Sequence, residues 1–333
     1  MLLDALLVAG GLAVLLAAGD VLVKGAVNLS LRLGIPALIV GLTVVSFGTS
    51  APELFVSVGA VLAGVPALAL GNVVGSNIAN VLLVLGVPAL ISAIAIDRGL
   101  ARDFWIMIAA TALFIGLAFT GVFVWWHGLV LLAGLGWMLY DCYARARIAQ
   151  AENGRAVAAD DPEALEGADP AITGKRIALF LALGLIGLPL GAQLLVTGSV
   201  NIATALGVSE AVIGLTLVAV GTSLPELATT AVAAWRREAG VALGNVLGSN
   251  IFNLLGIIGV AALFGAIPVP LEMLRVDLWV MLGTSVLLGA FILTGRRITW
   301  GWGLVLIALY GLYVVSLFGV WGGVGAGIHM SGA

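Results

Sequence analysis

The sequence predicts an all-α membrane protein of ten transmembrane helices, arranged as two inverted five-helix repeats with broken helices where the repeats meet. Three observations carry that prediction. Of the 333 residues, 62% are hydrophobic and only 9% charged, with a mean hydropathy of +1.21, too little charged surface for a water-soluble chain of this length. Residues 41–86 recur at 214–259, 173 positions later and without a gap, with 23 of the 46 positions identical. The basic residues also sort to one side of the predicted spans.

Apolar runs able to cross about 30 Å of hydrocarbon as helices lie near 3–29, 36–62, 67–93, 103–121, 124–144, 175–205, 210–234, 241–264, 275–294 and 299–320. The first has no basic residue ahead of it and only Asp4 as an early charge, so it reads as a span and not as a cleavable signal. Five runs form a first repeat, 1–146, and five a second, 174–333. Between them, 147–173 is an acidic linker with Glu152, Asp160, Asp161, Glu163, Glu166, Asp169, Pro162 and Pro170, too short for a regulatory domain of its own.

With the amino terminus outside, Lys24, Arg32, Arg98, Arg102, Arg145, Arg147, Arg155, Lys175, Arg176, Arg236, Arg237, Arg296 and Arg297 fall inside, leaving only Arg275 outside. This positive-inside bias places both termini outside and the linker in the cytoplasm, in a plasma (inner) membrane. Five spans per half make the second copy of the repeat enter the membrane in the opposite sense. Inverted repeats that meet at the midplane are the architecture of alternating access.

Each copy sets one acid in an apolar run. Thr49, Glu53 and Ser57 are four apart and share a helical face, as do Thr222, Glu226 and Thr230. Pro52 and Pro225 interrupt the backbone ladder beside them, freeing carbonyls near Gly48, Thr49, Gly221 and Thr222. In hydrocarbon, free carbonyls persist only where they line a cavity or bind something. Together with carboxylates and hydroxyls they form a hard-oxygen set suited to calcium or sodium.

The next span carries Asn72, Ser76 and Asn80, repeated as Asn245, Ser249 and Asn253. Gly71, Gly75, Gly244 and Gly248 fit close helix packing. Asn72, Asn77, Asn245 and Asn250 fit interhelical hydrogen bonding and ion ligation equally, whereas Ser76, Ser249, Asn80 and Asn253 fit ligation better. Asp20 has Lys24 one turn later and reads as an interfacial pair. Glu53 and Glu226 remain as the acids expected to sit deep, with a joint charge that one divalent cation, two or more sodium ions or two protons would neutralise. Ions that compete for the same oxygens cannot be bound together, which is the basis of antiport. An enzyme is not expected, since His127, His329 and Cys142 lie away from the motif.

The segments GLTVVSFGTSAPE with GNVVGSNIAN, and GLTLVAVGTSLPE with GNVLGSNIFN, resemble the alpha repeats of the sodium/calcium exchanger family, within the calcium/cation antiporters. The resemblance implies a calcium site at the carboxylates of Glu53 and Glu226 with the carbonyls of Thr49 and Thr222. It implies sodium sites using Ser50, Ser76, Ser223, Ser249 and the carbonyls of Ser46 and Ala219, and it puts Asn80 and Asn253 at central polar positions. Exchange of sodium for calcium, gated by the first span of each half, is the implied activity. Coupling of three sodium ions to one calcium would make it electrogenic. The implied partners are the lipid bilayer and the two ions, with no cofactor and no nucleic acid, and a monomer is the functional unit. Asn253 departs from several prokaryotic relatives and the potassium-dependent branch, which carry aspartate there, and this argues against potassium cotransport. Gly75 and Gly248 stand where the cation/proton branch has a glutamate. Proton-driven export of calcium or another divalent cation through the same two glutamates is the competing reading.

Overall fold

The computed structural model describes residues 1–96, 98–156, 169, 172–206 and 219–325. Gly214, Leu215, Thr216, the start of the span expected at 210–234 and most of the expected linker lie outside the described residues.

Helix α1 (Leu2–Leu33) ends at Gly34, which adopts φ 65 and returns its N–H to Leu31 O, while Ile35 bonds to Ser30 O at 3.0 Å. That left-handed glycine cap followed by Pro36 stops the helix. Helix α2 (Ala37–Thr49) contains a π-helical turn over Gly41–Val45, and α3 (Ala51–Leu62) follows at an angle of 44°. Pro52 sits in the first turn of α3, where its missing N–H costs no ladder bond. Helix α4 (Pro66–Ile91) loosens at residues 83–85, and α5 (Ala101–Ala118) and α6 (Trp125–Ala156) complete the first half.

Helix α6 runs on past 146 to Ala156, so the helix enters the segment expected as linker. Ala, Arg and Gln dominate residues 144–151, and all are good helix formers. The second half contains α7 (Gly174–Ala205), α8 (Ala219–Thr222), α9 (Leu224–Trp235), α10 (Ala239–Phe264), α11 (Met273–Thr294) and α12 (Trp300–Gly325). Helix α10 has a π turn at Phe252–Ile257. Among the described residues, seven helices are long and apolar enough to cross a membrane, or eight with α2 and α3 taken as one bent span. The chain is a helical, multi-pass membrane protein.

Helices α4 and α10 form the interior: 72% and 83% of their most apolar windows are buried, against 22% for α7 and 11% for α12. Water cannot drive helices together in lipid, so small residues and close packing must do so. The seam between α1 and α7 is built that way. A Cβ at Gly11 would lie 2.5 Å from Leu195 N, one at Gly184 2.5 Å from Leu22 Cβ, and one at Gly198 2.6 Å from Asp4 O. Leu15, Leu22, Val23, Leu188 and Ala192 make a core with Val40 of α2, Val232 of α9 and Val241 at the start of α10, separate from the larger cluster centred on α4, α11 and the rest of α10.

Two short pairings tie the halves together at the ends. Strands β1 (Val122–Phe123) and β2 (Ile267–Pro268) are antiparallel, and Ile94 bridges Ile298.

Candidate ion-binding site

The two bends have the same local geometry. Ser50 adopts φ −86, ψ 8 and Ser223 φ −86, ψ 4, each directly ahead of a helix whose second residue is proline and third is glutamate. The ladder restarts through Leu54 N–H to Ser50 O at 3.2 Å and Leu227 N–H to Ser223 O at 3.0 Å. Glu53 and Glu226 thus lie in the first turns of α3 and α9, where the helix dipole favours negative charge. Both are 1% exposed.

The bends are braced against the interior helices in matching fashion. Asn72 Nδ2 donates to Ser57 Oγ at 3.0 Å and Glu53 O at 3.3 Å. Asn245 Nδ2 donates to Thr230 Oγ1 at 3.1 Å and Glu226 O at 3.4 Å. Asn245 also accepts from Thr49 Oγ1 at 3.1 Å, and Ser50 Oγ donates to Glu226 Oε1 at 2.8 Å. The first half therefore contacts the acid of the second directly. Asn72 and Asn245, left open between bracing and ligation by the sequence, spend their amide N–H groups on bracing.

The glycines that permit this differ in use. Backbones cross at Gly41 and Gly244, where a Cβ on Gly244 would lie 2.7 Å from Leu38 O and 3.0 Å from Gly41 Cα. At Gly248 it would lie 2.5 Å from both Leu42 O and Ser46 Oγ. A Cβ on Gly71 or Gly75 meets no described residue within 4 Å. The segment 211–218, which corresponds in sequence to 38–45, lies outside the described residues.

Buried polar groups in proteins are almost always hydrogen-bonded. Here Glu53 Oε2, Glu226 Oε2, Asn80 Oδ1, Asn253 Oδ1, Ser223 Oγ and Ser249 Oγ are buried with no hydrogen-bond partner among the described residues. These atoms come from the doubled motif, and carboxylate, amide and hydroxyl oxygens of this kind suit calcium or sodium. Thr229 Oγ1 is also buried and unpartnered. Its position three residues after Glu226 was a usable signal, but its counterpart in the first half is Val56, so duplication did not mark it. Among the described residues no group of three or more His, Cys, Asp or Glu could hold a metal. An ion here would be held by two acids and neutral oxygens.

The other expected site residues are placed less decisively. Thr49, Ser50 and Ser76 are buried and Thr222 is half-buried. Ser46 donates its hydroxyl to Leu42 O at 2.7 Å, and its carbonyl already accepts from Ser50 N at 3.0 Å and Thr49 Oγ1 at 3.2 Å. Ala219 opens the short helix α8.

Burial alone does not single out the two glutamates. Asp103 is 1% exposed and Asp141 7%, so burial among packed helices is a different property from the membrane depth expected of Glu53 and Glu226. Both are neutralised: Arg145 pairs with Asp103 at 2.6 Å and Asp141 at 2.9 Å, and Arg102 also pairs with Asp141. Asp277 accepts from Tyr313 Oη at 3.1 Å. Asp20 pairs with Lys24 at 2.8 Å, as the spacing predicted, and also with Arg236 at the end of α9. That second partner comes from the other half and was not legible from local spacing.

Known proteins resemble this chain along most of its length. The sodium/calcium exchanger protein family profile matches residues 3–141 and 176–319. The sodium/calcium exchanger MaX1 of Methanosarcina acetivorans is 35% identical, with 92% of this chain and 96% of that protein covered. The putative antiporter CaxA of Alkalimonas amylolytica is 37% identical over 79% of this chain and 81% of its own length. A solved structure of the sodium-calcium exchanger NCX_Mj, soaked with zero sodium and calcium, superposes with a TM-score of 0.78 at 32% identity, covering 95% of this chain and 99% of that one. The paired glutamate bends thus sit in a chain that belongs, along both halves, to the sodium/calcium exchanger family of membrane cation antiporters.

Proposed function

We propose that the chain exchanges sodium for calcium by alternating access at a site built from Glu53, Glu226 and the neutral oxygens around them. The observation that carries this reading is the set of unpartnered buried acceptors contributed by both halves, headed by the two carboxylates. A charge at the membrane centre costs roughly 2.5–3.5 kcal/mol on insertion scales, so two close carboxylates favour whatever cation neutralises them. Calcium meets that need with one ion, and sodium does so with two or more. Three sodium ions against one calcium would carry one net charge per cycle, making exchange electrogenic. The relatives named as sodium/calcium exchangers support the choice of ions.

Ten spans in two inverted repeats, with both termini outside and the linker inside a plasma membrane, complete the reading. Contacts between distant ends support it, because each joins positions expected on one side. Val122 pairs with Pro268, and Asn201 with Asp4, at the outer side. Ile94 pairs with Ile298, Arg236 with Asp20, and Asn28 with Asp169 at the inner side. The glycine seam between α1 and α7 supports treating them as one gating unit. A monomer contains the whole site.

Purified protein in liposomes tests the proposal. Sodium loaded inside should drive uptake of labelled calcium from outside, and a protonophore should leave it intact. Uptake that ignores the sodium gradient and follows a pH gradient would establish proton coupling instead.

A further inference from the structure

A carboxamide ligand has an ambiguity that a carboxylate lacks. One end of the group is an acceptor and the other a pair of donors, and only the acceptor attracts a cation. For Asn80 and Asn253 to ligate an ion, their amide nitrogens must be held away from it. The structure supplies a holder for each. Asn80 Nδ2 donates to Asn250 Oδ1 at 3.1 Å, and Asn253 Nδ2 donates to Asn77 Oδ1 at 3.0 Å. The carbonyl oxygens of Asn80 and Asn253 are left buried and without a partner among the described residues.

The holders are themselves held. Asn77 Nδ2 donates to Asn250 O at 3.2 Å and lies 3.8 Å from Met281 Sδ, while Asn250 Nδ2 lies 3.8 Å from Met107 Sδ. Met107 on α5 and Met281 on α11 are both fully buried. With Asn77 Nδ2 donating to Asn250 O and Asn250 Nδ2 set against Met107 Sδ, each holder presents its Oδ1 to the amide it holds. Both locks cross between the halves, from α4 to α10 and back.

We propose that Asn77 and Asn250 are positioning residues, which aim the carbonyls of Asn253 and Asn80 into the cation site by taking up their amide N–H groups. Neither residue would touch the ion. Each half of the molecule would set the ligand orientation of the other, so the site is complete only while the two interior helices keep their mutual register. This rests on the reading that the Glu53–Glu226 cluster binds the transported cations.

The test is a set of double-substitution cycles read by sodium-driven calcium uptake in liposomes. Asn77→Leu keeps the branched four-atom shape of the side chain and removes the acceptor, so Asn253 is free to turn a donor toward the ion. The apparent KM for calcium should rise at least about tenfold, which corresponds to ~1.4 kcal/mol. In an Asn253→Asp background, Asn77→Leu should change KM by less than about threefold, because a carboxylate presents an acceptor whichever way it turns. In an Asn80→Asp background the tenfold effect should persist. A purely structural role for Asn77 would give the same effect in both backgrounds.

A change within twofold for Asn77→Leu alone, or equal effects in the two aspartate backgrounds, overturns the inference. If Asn77→Leu does not fold, Asn250→Leu gives the mirror cycle, rescued by Asn80→Asp and not by Asn253→Asp. Glu53→Gln serves as the reference. Exchange that survives it refutes the ion-site reading, whereas its loss together with a silent Asn77→Leu refutes the positioning role alone.

Discussion

Gly248→Ala adds one methyl group where α10 passes under the π turn of α2, and the structure gives the size of the disturbance. The new Cβ would stand 2.5 Å from Leu42 O and Ser46 Oγ and 2.8 Å from Leu42 Cα. The serine hydroxyl can rotate, but the carbonyl and Cα of Leu42 are backbone. Contact at 2.5 Å is about 0.9 Å short of the 3.4 Å at which ordinary packing begins, so α2 must retreat by nearly that much. Overpacking of this kind costs about 1–3 kcal/mol. The same retreat stretches the 3.1 Å bond from Thr49 to Asn245 beyond hydrogen-bond range, adding roughly 0.5–1.5 kcal/mol. The expected result is a clear fall in apparent melting temperature in detergent, together with loss of sodium-driven calcium uptake. Gly116→Ala in α5 is the control, since a Cβ there meets no described residue within 4 Å. It should be neutral or stabilising by about 0.5–1 kcal/mol. If Gly248→Ala matches the native protein in both assays, the crossing is not tight and the reasoning fails.

Other consequences are as direct. Arg145→Met leaves Asp103 and Asp141 buried without their shared cation and should destabilise by about 3–5 kcal/mol, seen as poor recovery and a lowered melting temperature. Arg236→Gln should change stability by no more than about 1 kcal/mol, because Lys24 still pairs with a part-exposed Asp20. Asn245→Ala removes bonds to Thr49, Thr230 and the Glu226 carbonyl, worth roughly 2–4 kcal/mol together, and should impair calcium uptake as well as stability. Cys142, the one cysteine and 2% exposed, should resist a maleimide in the folded protein and react on denaturation.

The residues legible from sequence were those that duplication and helical spacing both marked. Glu53 and Glu226, with Asn80 and Asn253, repeat at a fixed offset on polar faces, and the structure leaves oxygens of all four unpartnered. Spacing along one helix cannot reveal what meets it from another. The amide locks at Asn77 and Asn250 depend on how α4 crosses α10. The Arg236 partner of Asp20 comes from 216 residues away. Arg102 and Arg145 marked a membrane side in the sequence, yet in the fold they neutralise buried aspartates. The seam between α1 and α7 was hidden for a similar reason. Among 46 glycines, nothing local distinguishes Gly11 or Gly184, where a Cβ would run into another backbone, from Gly116, where it would meet no described residue within 4 Å.

The central claim is that Glu53 and Glu226 together hold the transported cation. Calcium titration of purified protein in sodium-free detergent, followed by sodium competition, tests it most directly. The native protein should bind calcium and release it as sodium rises, while Glu53→Gln and Glu226→Gln should each lose calcium binding and stay folded. Calcium binding at native affinity in either variant would contradict the account.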